Sequence, residues 1–199
     1  MNHPLGQICA LLAAISWALA LVLFKHSSDR LSPLALTLFK NAIAIVLFGG
    51  TVALELVTAP QDVLRPGELS QQHLVWLLLS ALAGITFADW LFFASLRRIG
   101  VGIMLAVDCV YSPSTILFAW LLLAEVITPL QYFGGGLILL AVFVSSQHKP
   151  PPSRTHAQLV YGILIGAVSM ALQGLSVTLA KPILDDYSVA SISLFRLAL

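Results

Sequence analysis

The chain has 199 residues, 59% of them hydrophobic, and a mean hydropathy of +0.95, well above what a soluble core requires, so it reads as an integral membrane protein. A net charge of +1, from ten dispersed Lys and Arg against nine Asp and Glu, excludes an electrostatic nucleic-acid partner. Cys9 and Cys109 lie inside apolar runs and read as small core residues rather than a disulfide or metal pair; neither a metal nor a cofactor is expected.

About 20 apolar residues cross a hydrocarbon core of roughly 30 Å, and charged or proline-rich breaks divide the sequence on that scale. The spans predicted in chain order are residues 5–24, 33–54, 74–96, 99–123, 130–144 and 159–180, with part of a seventh over 188–199. The first is too long for a signal-peptide core and is expected to be retained. The seventh covers only about 18 Å, so the chain is expected to stop inside a span, as a fragment of a ten-span protein. Most connections are short. The exceptions are residues 55–73, with Pro60, Pro66 and Gly67, and the Pro150-Pro151-Pro152 segment, which reads as a linker.

Residues 6–42 repeat over 162–198 without a gap. Gly6/Gly162, Lys25/Lys181, Asp29/Asp185, Ser32/Ser188 and Phe39/Phe195 are identical pairs, and Lys40 meets Arg196 as a like-charged pair. With charged residues only 10% of the chain, the polar matches weigh more than the leucine ones. Five spans precede the linker, an odd number, so the second copy enters the membrane with the opposite orientation, the plan of many secondary transporters. The expected fold is therefore an all-α, polytopic transmembrane helix bundle built as an inverted five-helix repeat with the second repeat truncated. Its parts are 1–147 (first repeat), 148–158 (linker) and 159–199 (start of the second). Loops after odd spans hold Lys25, Arg30, Arg97, Arg98, Lys149 and Arg154, against Arg65 and Lys181 after even ones, which places the N-terminus outside.

Ionisable residues at membrane depth cost about 2.5–3.5 kcal/mol each and call for a partner or a wet cavity. Lys40, Asp89, Asp108 and Arg196 are the candidates. Asp89 and Asp108 flank the 97–100 turn, each about 14 Å from it, and Lys40 lies about 12 Å past Ser32, so all three reach one level. Asp108, Tyr111, Ser112 and Thr115 share a helical face beside Pro113, and Gly162, Gly166, Ser169, Gln173 and Ser176 share another. Trp17 stands in the repeat position of Gln173. The Gly134–Gly136 run reads as a packing surface, Glu125 as a helix-end residue, and Lys25 and Lys181 as snorkelling cations.

Several of these segments together resemble the EamA family of the drug/metabolite transporter superfamily. They are Ser16-Trp17 with Lys25 closing the first span, Ala94 to Arg98 (A-S-L-R-R), Ser112-Pro113, Ala124-Glu125 and the T-P-L-Q-Y-F-G-G run from Thr128. The resemblance covers the first domain nearly end to end. It implies a ten-helix inverted-repeat carrier of small polar metabolites or amino-acid-like solutes in the cell membrane, often exporting them and commonly proton-coupled. It also implies cytoplasmic termini, against the loop-charge count, and assigns no role to Asp89 or Asp108.

The expectation from the sequence is thus a transporter, not an enzyme, with membrane lipid, a small solute and protons as partners. Trp17, Tyr111 and Gln173 would contact the solute, and Lys40, Asp89, Asp108 and Arg196 would set its charge preference. Two other readings compete: a fragment that assembles with other membrane proteins or is inactive alone, and an intramembrane aspartyl enzyme. Against the latter, the contexts F-A-D-W and A-V-D-C lack Y-D and G-x-G-D motifs, and no HExxH or GxSxG is present.

Overall fold

A computed structural model of the chain describes residues 3–64, 67, 69–146, 155–184 and 186–199, all of whose regular structure is helical. The proline run with Lys149 and Arg154, together with Arg65, Pro66 and Asp185, lies outside the described residues, so the linker and part of the loop-charge count do too. The helices are α1 (His3–Ser28), α2 (Pro33–Thr58), α3 (Gln71–Ser80), α4 (Asp89–Asp108), α5 (Tyr111–Leu123), α6 (Pro129–Ser146), α7 (His156–Leu184) and α8 (Val189–Ala198). A π-helical stretch, Ala81–Ala88, joins α3 to α4 without a break. Gly6–Ser28, Pro33–Thr58, Gln71–Asp108 and His156–Leu184 are each long and apolar enough to cross a membrane, which makes this a multi-pass membrane protein.

The helix starts are written in the sequence. Ser32, Ser70 and Ser188 each accept a hydrogen bond from the backbone N–H three residues on, at 3.1–3.2 Å. Thr128 with Gln131 and Thr155 with Gln158 form reciprocal capping boxes at the heads of α6 and α7. Ser32 and Ser188 are repeat partners, and each caps its helix in the same way. Ser188 does more, because its hydroxyl also donates to Glu55 Oε2 at 2.6 Å and its N–H to Asp62 O at 2.7 Å. Ser188→Ala should therefore cost more than Ser32→Ala, which is expected near 1 kcal/mol, when the two are compared by reversible unfolding in detergent. Equal losses would remove Glu55 from the account. Because Glu55 ends α2 and Ser188 opens α8, these two helices, which carry matching repeat sequence, pack antiparallel.

The Gln71–Asp108 rod is two limbs rather than one. Gly100, at φ +78° and ψ 174°, occupies backbone space that glycine alone enters freely, and there the chain reverses. A side chain on Gly166 of α7 would meet both Ser95 Oγ (2.7 Å) and Val107 Cγ1 (2.9 Å), so residues on either side of Gly100 lie side by side. The expected separation of the third and fourth spans is thus present. Helix α7 runs antiparallel to the first limb: Ser95 Oγ donates to Gly162 O (2.8 Å), Ser169 Oγ to Ala88 O (2.7 Å), and Ser176 Oγ and Ser80 O pair at 2.8 Å. Between helices in lipid the hydrophobic drive is weak, so these close, small-residue contacts and buried hydroxyl bonds hold the bundle.

The core follows from that seam. Leu21, Leu36, Phe93, Leu96, Met104, Val107 and Leu159 are fully or almost fully buried around α4 and α7, and Leu77, Ala180, Ile183 and Ile192 form a second cluster at the α3–α7–α8 end. Helices α1 and α2 lie at the periphery, with almost none of their apolar windows buried, as lipid-facing helices do. Three expectations change. Cys9 and Cys109 are exposed free thiols, not core residues: Cys9 lies on an outward face of α1 and Cys109 in the turn between α4 and α5. Of the Gly134–Gly136 run only Gly135 approaches a neighbour, Pro113, since the others face open space. Lys25 and Lys181, expected to snorkel, instead pair with Asp29 (2.9 Å) and Glu125. The Lys25 ammonium holds the Asp29 carboxyl below the usual carboxylate range.

Candidate functional site

Inside the bundle lies a cavity of about 430 Å³ bounded by α1, α2, both limbs of α4, α5 and α7. Six of the seven candidate residues line it: Trp17, Lys40, Asp89, Asp108, Tyr111 and Gln173. The seventh, Arg196, does not line it.

Asp89 is the organising group. It follows the π-helical stretch directly, and the wider π turn sets the angle at which its side chain leaves the helix. Its residue is 7% exposed, and its two oxygens are shared between repeat copies. Lys40 Nζ from α2 donates to Oδ2 at 2.5 Å, and Gln173 Nε2 from α7 to Oδ1 at 3.0 Å. The amide of Gln173 also leans on Gly84 O at 3.4 Å, the bare face of a glycine that has no room for a Cβ: one would fall 2.2 Å from Ser176 Oγ.

Asp108 closes the second limb and has a different environment. Trp17 Nε1 donates to its Oδ2 at 3.0 Å, and among the described residues no cation stands within ion-pair distance of it. Trp17 and Gln173, equivalent in the repeat, thus each donate to one aspartate. The chain breaks just after Asp108, at Cys109–Val110, and α5 starts at Tyr111 with Pro113 in its first turn. The polar stripe expected on this span divides there. Asp108 and Tyr111 face the cavity, Ser112 is exposed, and Thr115 donates back to Tyr111 O at 2.9 Å.

Arg196 sits behind the Asp89 wall, where its Nη2 donates to Ser176 Oγ at 2.6 Å and lies 3.5 Å from Ser80 O. Its Nε is buried with no partner among the described residues, as is Asn41 Oδ1 next to Lys40. Lys40 and its repeat partner therefore differ: Lys40 bonds Asp89 directly, whereas Arg196 bonds Ser176 and Ser80 instead.

The remaining walls are apolar residues that the polar pattern passed over. Phe24, Phe92, Phe93, Met170 and Val177 complete the cavity. Phe92 packs on Trp17 (5.8 Å) and edge-on against Phe93 (5.4 Å), which in turn meets Phe24 at 5.1 Å. Helical spacing carried the signal. Phe92 and Phe93 stand three and four residues after Asp89, and Met170 and Val177 three before and four after Gln173, on the same faces.

The chemistry available is that of a polar pocket walled by rings: one carboxylate neutralised by an ammonium, a second that accepts from a neutral indole N–H, a phenol and an amide. Among the described residues no group of three or more His, Cys, Asp or Glu is placed to hold a metal. No curated protein and no solved structure matches the chain. The sequence pattern of the EamA-like transporter family matches residues 4–147, which takes in α1 to α6 and therefore every cavity wall except α7. On that coverage the chain belongs to the EamA-like transporter family.

Proposed function

We propose that this transporter is a secondary carrier of small polar or amino-acid-like solutes at the cell's inner membrane, moving them outward, with the cavity between α1, α4, α5 and α7 as its solute site. The observation that carries the reading is the inequality of the two aspartates. Asp89 is already matched by Lys40, whereas Asp108 faces the same space with Trp17 Nε1 as its one hydrogen-bond donor among the described residues. A carboxylate in that position would receive the ammonium of a solute or a proton, and the ring wall of Trp17, Phe92 and Phe93 would take the solute's apolar part. Proton coupling follows if the two compete for Asp108. The two-copy plan, with 1–147 as the first copy, 148–158 as the connection and 159–199 opening the second, is supported by the matched serine caps and the antiparallel packing of α2 on α8.

The test uses the chain in proteoliposomes loaded with a pH-sensitive dye and challenged with a panel of amino acids. Asp108→Asn is expected to lower solute-driven proton flux at least tenfold with helicity unchanged. Trp17→Phe, which keeps the ring and loses the N–H, should weaken solute affinity several-fold. Unchanged flux in Asp108→Asn takes that residue out of the coupling role.

A further inference from the structure

A second, larger cavity of about 650 Å³ opens on the opposite side of α4 from the central site, at the membrane level of the Gly100 turn. Its α4 lining is Trp90, Ala94, Arg97 and Arg98, spaced as a single helical stripe, and its α7 lining is Gln158 and Tyr161. Depth along the stripe changes its chemistry. Arg97 and Arg98 stand at the turn, Ala94 about one turn deeper and Trp90 about two, roughly 10 Å below the guanidinium level. The cavity is therefore cationic at its mouth and apolar and aromatic beneath, the profile of an amphiphile with an anionic head.

The charge balance at the mouth is positive. Arg97 and Arg98 are the charged residues among those that line the groove, and the nearby Asp29 carboxylate interacts with both Lys25 and Arg97. Arg98 places its guanidinium carbon 5.7 Å from the centre of the Tyr161 ring and uses one donor, at 2.9 Å, on Ala94 O. Those two contacts restrain a guanidinium that lines the groove, and a guanidinium is the group suited to phosphate. Tyr161, beside Arg98 at the mouth, is 58% exposed, as ring side chains in the interfacial belt are, and Trp90, deeper, is 46% exposed. The walls are stiff, because a Cβ on Gly162 would fall 2.4 Å from Ile99 Cγ2 and 3.2 Å from Arg98 Cβ, so α4 and α7 cannot approach further or slide there without a clash.

We propose that this groove is a binding site for one anionic phospholipid, its headgroup phosphate on Arg97 and Arg98 and an acyl chain along Ala94 and Trp90. Basic pockets between transmembrane helices recognise lipid phosphates in this way, and a free anion would leave the deeper half of the groove unused. The site is separate from the central cavity and does not depend on what that cavity carries.

The experiment is native mass spectrometry of the chain in detergent titrated with phosphatidylglycerol, alongside phosphatidylcholine and inorganic phosphate. One phosphatidylglycerol should be retained, at least tenfold more tightly than phosphatidylcholine, and Arg97→Gln/Arg98→Gln should abolish that preference. Gln158→Glu gives an independent variant: a glutamate keeps the capping box with Thr155, so folding is preserved, while its charge at the mouth should weaken phosphatidylglycerol retention several-fold. Equal retention of both lipids by the wild-type chain, or unchanged preference in both variants, overturns the proposal. Competition by millimolar inorganic phosphate at the strength of the lipid would identify the groove as a free-anion site and overturn it too.

Discussion

Lys40→Met is expected to destabilise the bundle by about 2–3 kcal/mol, and Lys40→Met combined with Asp89→Asn to recover most of that loss. Removing one member of a fully buried ion pair costs about 3–5 kcal/mol, because the other charge is left without compensation in a medium of low polarity. Here the cost is discounted, since the Lys40 side chain keeps 32% of its exposure while that of Asp89 keeps 10%. In the double variant the neutral amide still accepts from Gln173 through Oδ1, so the α4–α7 link survives while the charge that needed an ammonium is gone. The measurement is reversible unfolding titrated with dodecyl sulfate in mixed micelles, run as a double-mutant cycle. If the single Lys40 variant is as stable as the wild-type chain, the pair contributes nothing to the fold.

The same cycle separates structure from transport. A stable Lys40→Met/Asp89→Asn protein would retain the cavity, the ring wall and Asp108, but lose the internal ion pair. Under the proposed mechanism it keeps proton-linked flux through Asp108 and changes which solutes are accepted. Loss of flux despite full stability would shift the coupling role from Asp108 to Asp89.

The helices and the convergence of six polar residues were legible because both rest on one-dimensional quantities. Span positions follow from apolar run length, and depth follows from residue count at 1.5 Å per residue, which places Lys40, Asp89 and Asp108 at one level without knowledge of packing. Direction around the helix axis is less secure, and the differences arise there. The π-helical stretch Ala81–Ala88 has no composition of its own, yet it rotates everything from Asp89 onward relative to a regular helix. Ser112 shares a face with Asp108 only on an unbroken span, and the break at Cys109–Val110 turns it outward. Arg196 was expected at the cavity by analogy with Lys40. Its longer side chain is caught one layer back by Ser176 and Ser80, polar partners that no counterpart of Lys40 supplies. The ring wall does not stand out in the sequence, because aromatic residues are common in any apolar span and carry meaning only through their spacing from Asp89.

Gly174→Ala should be the most damaging of the small substitutions in α7, at about 2–3 kcal/mol, with Gly136→Ala as its harmless counterpart. The added methyl at Gly174 would fall 2.8 Å from Thr115 N and 3.0 Å from Ser114 C, both backbone atoms, so no rotamer change relieves the clash and α5 must move away from α7. At Gly162 the obstacles are side-chain atoms, Ile99 Cγ2 at 2.4 Å and Arg98 Cβ at 3.2 Å, rather than backbone. At Gly136 nothing lies within 4 Å, and alanine there should be neutral or stabilising by up to about 1 kcal/mol through its better helix propensity. Displacing α5 also moves Tyr111 away from Gln173, the neighbour of Gly174, so the cavity widens on its α5 side. The expected signature is a loss of stability coupled to weaker solute binding in Gly174→Ala, with neither in Gly136→Ala. Unfolding titrations and solute-induced thermal shifts on the two variants check both halves, and a Gly174→Ala protein as stable as the wild-type chain would mean that α5 and α7 are not in the contact that shapes this site.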